Sequence, residues 1–299
     1  MNCYTTLLVL VLGSFALIGC GTTTAADHTG GFDGQRAFKH VTKQVGFGPR
    51  PSGSTANRRL QAYIQAELMR YGCEVETERF DVDTPVGRLP MTNIVAKIPG
   101  DKPGILILAT HYDTKRMSNF VGADDGGSST AMMMELARLL CRKPSTYRVW
   151  ITFFDGEEAT KHWNAKDSCY GSRHMATKMR MSGEISKVRA FLLADMVGAR
   201  TLRFRAETNS SPDLTELFWK TAANLGYRSV FVTTPPGRPI EDDHLSFKKH
   251  GVPVLNVIDL DAQLSYWHTP QDTLDKLSAK SLATTGHVFL ESIKVLQSR

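Results

Sequence analysis

Glu157 and Glu158 stand side by side after an apolar run, Arg148–Phe154, which Asp155 and Gly156 close. Charged side chains are almost never buried without a partner. Two acids at the end of a buried strand therefore need a cation, and a metal ion is the usual one. Zinc takes His nitrogen and carboxylate oxygen, with three protein ligands and an open position when it is catalytic. Asp125 in the loop Gly122–Gly127, Glu158, and His268 in Tyr266-Trp267-His268 form such a set. Glu157, beside a ligand but not one itself, would then serve as general acid and base. Each residue alone has a plainer reading. Asp125 suits a turn, Glu158 the first turn of a helix, and His268 a hydrogen-bonded loop. The set together points to metal-assisted chemistry.

The flanking pattern shows how such residues would be positioned. Val75–Phe80, Thr92–Ile98, Ile105–Thr110, Arg148–Phe154, Ala190–Ala194 and Pro253–Ile258 read as strands, with shorter ones at Leu202–Arg205 and Val230–Val232. Residues 55–72, Gly127–Arg142, Ser172–Met181, Pro212–Leu225, His244–His250 and Leu277–Leu296 read as helices. Several strands are apolar throughout and alternate with helices. This predicts a single α/β domain with a central mixed, mostly parallel twisted sheet and helices on both faces. Ligands of such sheets gather beyond the carboxyl ends of the strands. His111-Tyr112-Asp113, Asp155–Glu158, Asp195, and Asp259 with Asp261 all follow strands there.

Apolar residues make up 41% of the 299 and charged residues 22%, as in a soluble globular protein. The net charge of +6 is scattered rather than banked on one face, which argues against a nucleic-acid partner. Leu7–Ile18 is too short to span a bilayer and reads as the core of a signal peptide over residues 1–19. Leu17-Ile18-Gly19-Cys20 resembles a bacterial lipobox, although residues 1–6 carry no Lys or Arg. The expectation is a lipidated Cys20 and a flexible tether over 20–33, with the catalytic domain from 34 to 299. The protein would then face the periplasm, or be secreted, as a monomer touching membrane only through that anchor. Cys73, Cys141 and Cys169 lack metal-like spacing and read as small buried residues. An oxidising compartment would permit one disulfide among them, with the pair left open.

Longer motifs make the reading specific. Asp155-Gly-Glu-Glu-Ala159, Gly122-Ala-Asp-Asp125 and His268-Thr-Pro-Gln-Asp-Thr273 resemble the zinc-dependent M28-type peptidase superfamily. His162-Trp163, Asp167–His174, Phe120–Ala123, Ile240–His244, Gly251–Leu255 and Trp267-His268 are similar to the glutaminyl-peptide cyclotransferases. The resemblance runs from about residue 36 to the end. It implies one zinc ion on Asp125, Glu158 and His268, in a fold like that of the zinc aminopeptidases. It implies that N-terminal glutamine of peptides and proteins closes to pyroglutamate with release of ammonia. Glu157 would shuttle the proton, Asp195 and Asp242 would hydrogen-bond around the amine, and Trp163 and Trp267 would wall the pocket. Asn256 stands where many animal cyclases carry His. The rival is a two-zinc aminopeptidase with His111 and Asp195 on a second ion and Asp125 bridging. A non-catalytic binding module would have lost Glu157 or a ligand, and none is lost. Neither Gly-x-Ser-x-Gly nor His-Glu-x-x-His occurs.

Overall fold

The computed structural model describes Met1 and residues 28–235, 237–260 and 265–299. Residues 2–19 of the predicted signal peptide, Cys20 and the predicted tether up to residue 27, and Asp261 lie outside the described residues. The apolar runs become a six-stranded sheet of β1 (Glu74–Thr84), β2 (Gly87–Ile98), β3 (Lys102–His111), β4 (Tyr147–Phe154), β5 (Val188–Asp195) and β6 (Val254–Ile258). The spatial order is β6-β5-β3-β4-β2-β1. Strands β3 to β6 pair in parallel, while β1 and β2 form an antiparallel hairpin whose inner strand runs antiparallel to β4.

Successive residues of a strand face opposite sides of a sheet, and β3 shows the consequence. Leu106 and Leu108 join a core with helices α1 (Gly34–Val45), α2 (Thr55–Arg70), α3 (Gly127–Leu140), α5 (Pro212–Asn224) and α7 (Ala279–Gln297). Ile105, Ile107 and Ala109 face the other core, under α4 (Tyr170–Ser182) and the short α6 (Leu245–Lys248). With both faces covered, the central strands hold apolar side chains at nearly every position. The short pieces Phe204–Arg205 and Phe231–Val232 pair separately, in parallel.

Two expectations change. The fold begins before residue 34, because Phe32 is fully buried and its ring packs so closely on Gly286 of α7 that a Cβ there would sit 2.3 Å from it. His28–Thr29 and Phe32–Asp33 pair as a small ribbon, and Asp33 caps α1 through a hydrogen bond from Arg36 N at 2.9 Å. The predicted tether thus loses its last residues to the domain. The cysteines also divide. Cys73, after α2, is bonded to Cys141 at the end of α3, while Cys169 remains a free buried thiol. No helix among the described residues is long and apolar enough to cross a membrane.

Candidate active site

The carboxyl ends of β3, β4 and β5 deliver His111, the Asp155–Glu158 turn and Asp195 to one place. The loops carrying Asp125, Asp242 and His268 close over them. His268 Nε2 lies 3.3 Å from Asp125 Oδ2 and 3.2 Å from Glu158 Oε1. Both carboxylates are buried, and these two oxygens accept no hydrogen bond. Two unsatisfied buried acceptors facing one imidazole nitrogen fit a shared cation, so this donor set suits a zinc-like ion. One ligand atom from each of the three lies within 4.8 Å of the others.

A second set adjoins the first. His111 Nε2 sits 3.1 Å from Asp195 Oδ1 and 3.3 Å from Asp125 Oδ1. Asp125 thereby belongs to both groups, as the two-metal rival requires. Burial opposes a charge on His111, but Asp195, Glu157, Asp113 and Asp125 outweigh it and raise its pKa well above the usual value. Burial also opposes ionisation of Asp125, yet the adjacent His111 and His268 imidazoles hold its carboxyl below the ordinary range.

Glu157 is buried beside the triad. Burial pushes its carboxyl well above the normal range; His111 pulls the other way, and Asp242, Glu158 and Asp243 add to the rise. The turn bearing both glutamates is pinned from behind. Asp113 accepts from Glu157 N at 3.1 Å and from Glu158 N at 3.3 Å. Cys169 N and Tyr170 N donate to the carbonyls of Glu157 and Gly156 at 2.8 and 2.7 Å. Asp155 is not free to act, since it accepts from Ser52, Asn57 and Thr92 N at 2.8, 3.1 and 3.0 Å.

Asp125 is held in a similar way. Asp272 accepts from the backbone N–H of Asp124 at 2.8 Å and of Asp125 at 3.1 Å. Asp124 receives Tyr266 Oη and Gly198 N, each at 2.9 Å, so it braces the loop instead of entering the centre. Gly126 has φ +76°, and a Cβ there would meet Asp113 O at 2.8 Å and His111 Cε1 at 3.0 Å. Only glycine allows the two loops to approach so closely. Cys169, Met196 and His268 are non-glycine residues with left-handed φ, and each is in or next to the site. Such outliers persist where the surroundings force them, commonly around functional groups.

The centre forms the floor of a pocket of about 310 Å³. Trp267 stacks on His268 with ring centroids 4.1 Å apart. Trp163, 39% exposed, stands at the rim and donates Nε1–H to Glu241 at 3.4 Å. Asp195 and Asp242 also line the pocket. Asn256 Nδ2 donates to Asp242 Oδ2 at 2.8 Å, so the amide holds one of the acids that line the pocket. All eight sequence-derived site residues thus lie around one cavity. Sequence reading passes over Asp113 and Asp272 as positioning groups, because acceptance of backbone N–H groups leaves no trace in spacing. It also passes over Lys115, whose Nζ lies 3.5 Å from Glu158 Oε2.

Comparison with known proteins agrees with this geometry. Residues 93–293 match Peptidase family M28. A glutaminyl-peptide cyclotransferase of Drosophila melanogaster is 31% identical over 268 residues, covering 81% of this chain and 75% of its own. A mouse glutaminyl-peptide cyclotransferase-like protein is 33% identical over 75% of this chain, and the match spans 66% of the mouse protein. The crystal structure of an Acidobacteriales bacterium glutaminyl cyclase superposes with a TM-score of 0.84 at 40% identity, covering 90% of this chain and 96% of its own. The chain belongs to peptidase family M28 and, within it, to the glutaminyl-peptide cyclotransferases.

Proposed function

We propose that this protein cyclises N-terminal glutamine of peptides and proteins to pyroglutamate, with release of ammonia. The observation that carries the reading is a buried Glu157 next to a metal-capable triad, on the floor of a pocket with tryptophans at its wall and rim. Asp125, Glu158 and His268 would hold one zinc ion, which when bound supplies Lewis-acid polarisation of the side-chain carbonyl.

The nucleophile is already in the substrate. The α-amine attacks the side-chain carboxamide carbon, a C–N bond forms, and the bond to the amide nitrogen breaks. Seating the glutamine so that these atoms meet supplies much of the rate through proximity. Glu157 takes the proton from the attacking amine and gives it to the departing ammonia. Asp242, fixed by Asn256 and by Asp243 N at 2.6 Å, and Asp195 accept from the amine and orient it. Trp163 and Trp267 shape the walls around the side chain and exclude water.

The second reading, a two-zinc aminopeptidase, draws on the convergence of His111, Asp125 and Asp195. Mass spectrometry on the zinc-loaded protein with Gln- and Leu-initiated peptides separates them. The cyclase removes only ammonia, and only from the Gln peptide. Loss of a whole N-terminal residue from either peptide would establish the aminopeptidase.

We also propose export to the cell envelope with lipid on Cys20. The Cys73–Cys141 disulfide supports an oxidising compartment. A mature N-terminus other than a diacylated Cys20, read by mass spectrometry of the membrane fraction, would overturn the anchor.

A further inference from the structure

The paired glutamates are followed by a loop that leaves the sheet and comes back. Residues 159–168 contain neither helix nor strand, and 161–166 are all exposed. The loop nevertheless closes at its base, where Cys169 N donates to Glu157 O at 2.8 Å. Compact loops of this kind are packed by their own side chains. Here one carboxylate serves that purpose. Asp167 is buried, and its Oδ1 accepts from Thr160 N at 2.9 Å, Thr160 Oγ1 at 2.8 Å and Tyr170 Oη at 2.7 Å. Its Oδ2 accepts from Lys161 N and His162 N, each at 2.9 Å. Three successive backbone N–H groups thus converge on one anion, as in the backbone nests that bind free anions.

Burial opposes the charge on Asp167, but the His162 N–H, Tyr170 Oη and Thr160 hold its carboxyl at about 2. Arg173 of α4 adds to the frame, donating to the carbonyls of Ala165 at 2.8 Å and Lys166 at 3.0 Å. Asp167, Tyr170 and Arg173 all lie in the motif that runs to His174, and none of them belongs to the candidate metal centre. The residue directly after the three N–H groups is Trp163, which lines the site pocket. Its indole is exposed, and its hydrogen bond to Glu241 is long at 3.4 Å. Such a ring takes its place mainly from the backbone that carries it. The turn with Glu157 and Glu158 has separate support in Asp113. Asp167 can therefore aim the rim of the pocket without holding its floor.

We propose that Asp167 is a positioning residue for the substrate pocket: through the loop it anchors, it fixes Trp163 at the rim and so sets how tightly the glutamine side chain is held. The proposal rests on the cyclase reading and adds a residue to it. Asp167→Asn tests it sharply. An amide has one acceptor oxygen and one N–H₂ group. In either orientation it turns a donor toward at least one of the three backbone N–H groups. The loop then loosens, and the loss falls on binding, so KM rises more than kcat falls.

The experiment uses the zinc-loaded protein with amidated Gln-Ala-Ala-Phe. Asp167→Asn should raise KM about tenfold, with kcat within about twofold and bound zinc unchanged. Native-state trypsin should cut after Lys161 and Lys166 about ten times faster, because both lysines lie in the loosened loop. On a Trp163→Ala background, the same substitution should change KM by less than about twofold, since the ring it aims is gone. An Asp167→Asn protein with the KM of the intact one would overturn the role. So would a full KM rise that persists without Trp163, or a joint fall of kcat and bound zinc. Should Asp167→Asn fail to fold, Tyr170→Phe removes one donor to Oδ1 and should raise KM about threefold; an unchanged KM there would equally overturn the role. Failure of the intact protein to release ammonia from the peptide would overturn the cyclase reading, and this role with it.

Discussion

At the scale of single residues, the candidate site separates groups that act from groups that aim them. Glu157 is the proposed proton carrier, and its removal is the most informative change. Glu157→Gln keeps the shape and the hydrogen-bonding backbone but cannot carry the proton. Cyclisation should fall by about 10²–10⁴ in kcat with bound zinc unchanged. A fall accompanied by metal loss would instead make Glu157 a ligand. Asp113 is an aiming group, with one oxygen for each of two adjacent backbone N–H donors. Asp113→Asn would turn an amide N–H toward one of those donors. A buried donor without a partner costs about 1–3 kcal/mol, so the unfolding midpoint and kcat should fall together. Calorimetry beside steady-state rates checks this, and an unchanged midpoint would remove Asp113 from the frame. The proposed acting groups were legible as a cluster because metal chemistry demands particular residue types after apolar runs, and the fold brings them to one cavity. The aiming groups were not, since any strand-end acid looks alike until the backbone N–H groups it faces are known.

At the scale of elements, legibility followed hydrophobic patterning. The buried strands β3 to β6 came out near their observed bounds because their apolar runs are continuous. The β1–β2 hairpin is longer than the sequence suggested, as its outer half, Asp81–Arg88, is largely solvent-facing. Helix α1 was not read from the sequence, although Ala37, Val41 and Val45 recur at helical spacing, and two of its buried positions are polar, His40 and Gln44. His40 explains how that is tolerated: its ring nitrogens lie 2.7 Å from Tyr63 Oη and 2.9 Å from Tyr71 Oη. A neutral imidazole donates to one phenol and accepts from the other. Burial lowers its pKa to about 4. Between that value and the ordinary 6.5 the unfolded chain binds the extra proton, so stability is fully present above pH 6.5 and declines as pH falls toward 4. The loss attributable to His40 reaches about 3 kcal/mol. Chemical denaturation across that range should show the slope, and His40→Gln should flatten it. Helices α2 and α3 are clamped at their ends by Cys73–Cys141, 68 residues apart. In the chain-entropy account, closing such a loop stabilises by about 4 kcal/mol. The Cys73→Ser/Cys141→Ser variant should lower the denaturation midpoint accordingly, and an equal midpoint would show that the clamp contributes nothing.

At the scale of the whole molecule, the strand order β6-β5-β3-β4-β2-β1 was beyond single-sequence reading, because pairing depends on contacts far apart in the chain. Its consequence is chemical: three adjacent parallel strands, β4, β3 and β5, aim their carboxyl ends at one point and collect acids there. Asp125, Glu157, Glu158, Asp195 and Asp242 are all buried around the pocket. Packing so many carboxyl groups together is costly unless a cation offsets their repulsion. The fold should therefore be linked to the zinc ion proposed for the triad. Zinc at about one hundred times its dissociation constant stabilises a one-site protein by about 2.7 kcal/mol, or about 5 °C in the unfolding midpoint of a domain this size. A chelator should lower the midpoint, and added zinc should restore it in a concentration-dependent way. His268→Ala should lose most of that response, because its imidazole faces both ligand carboxylates. His111→Ala should retain a single-site response if the second cluster holds no ion. Two equivalents of zinc in the intact protein, reduced to one by His111→Ala, would favour the aminopeptidase arrangement. A midpoint indifferent to zinc would mean that the triad does not hold the metal.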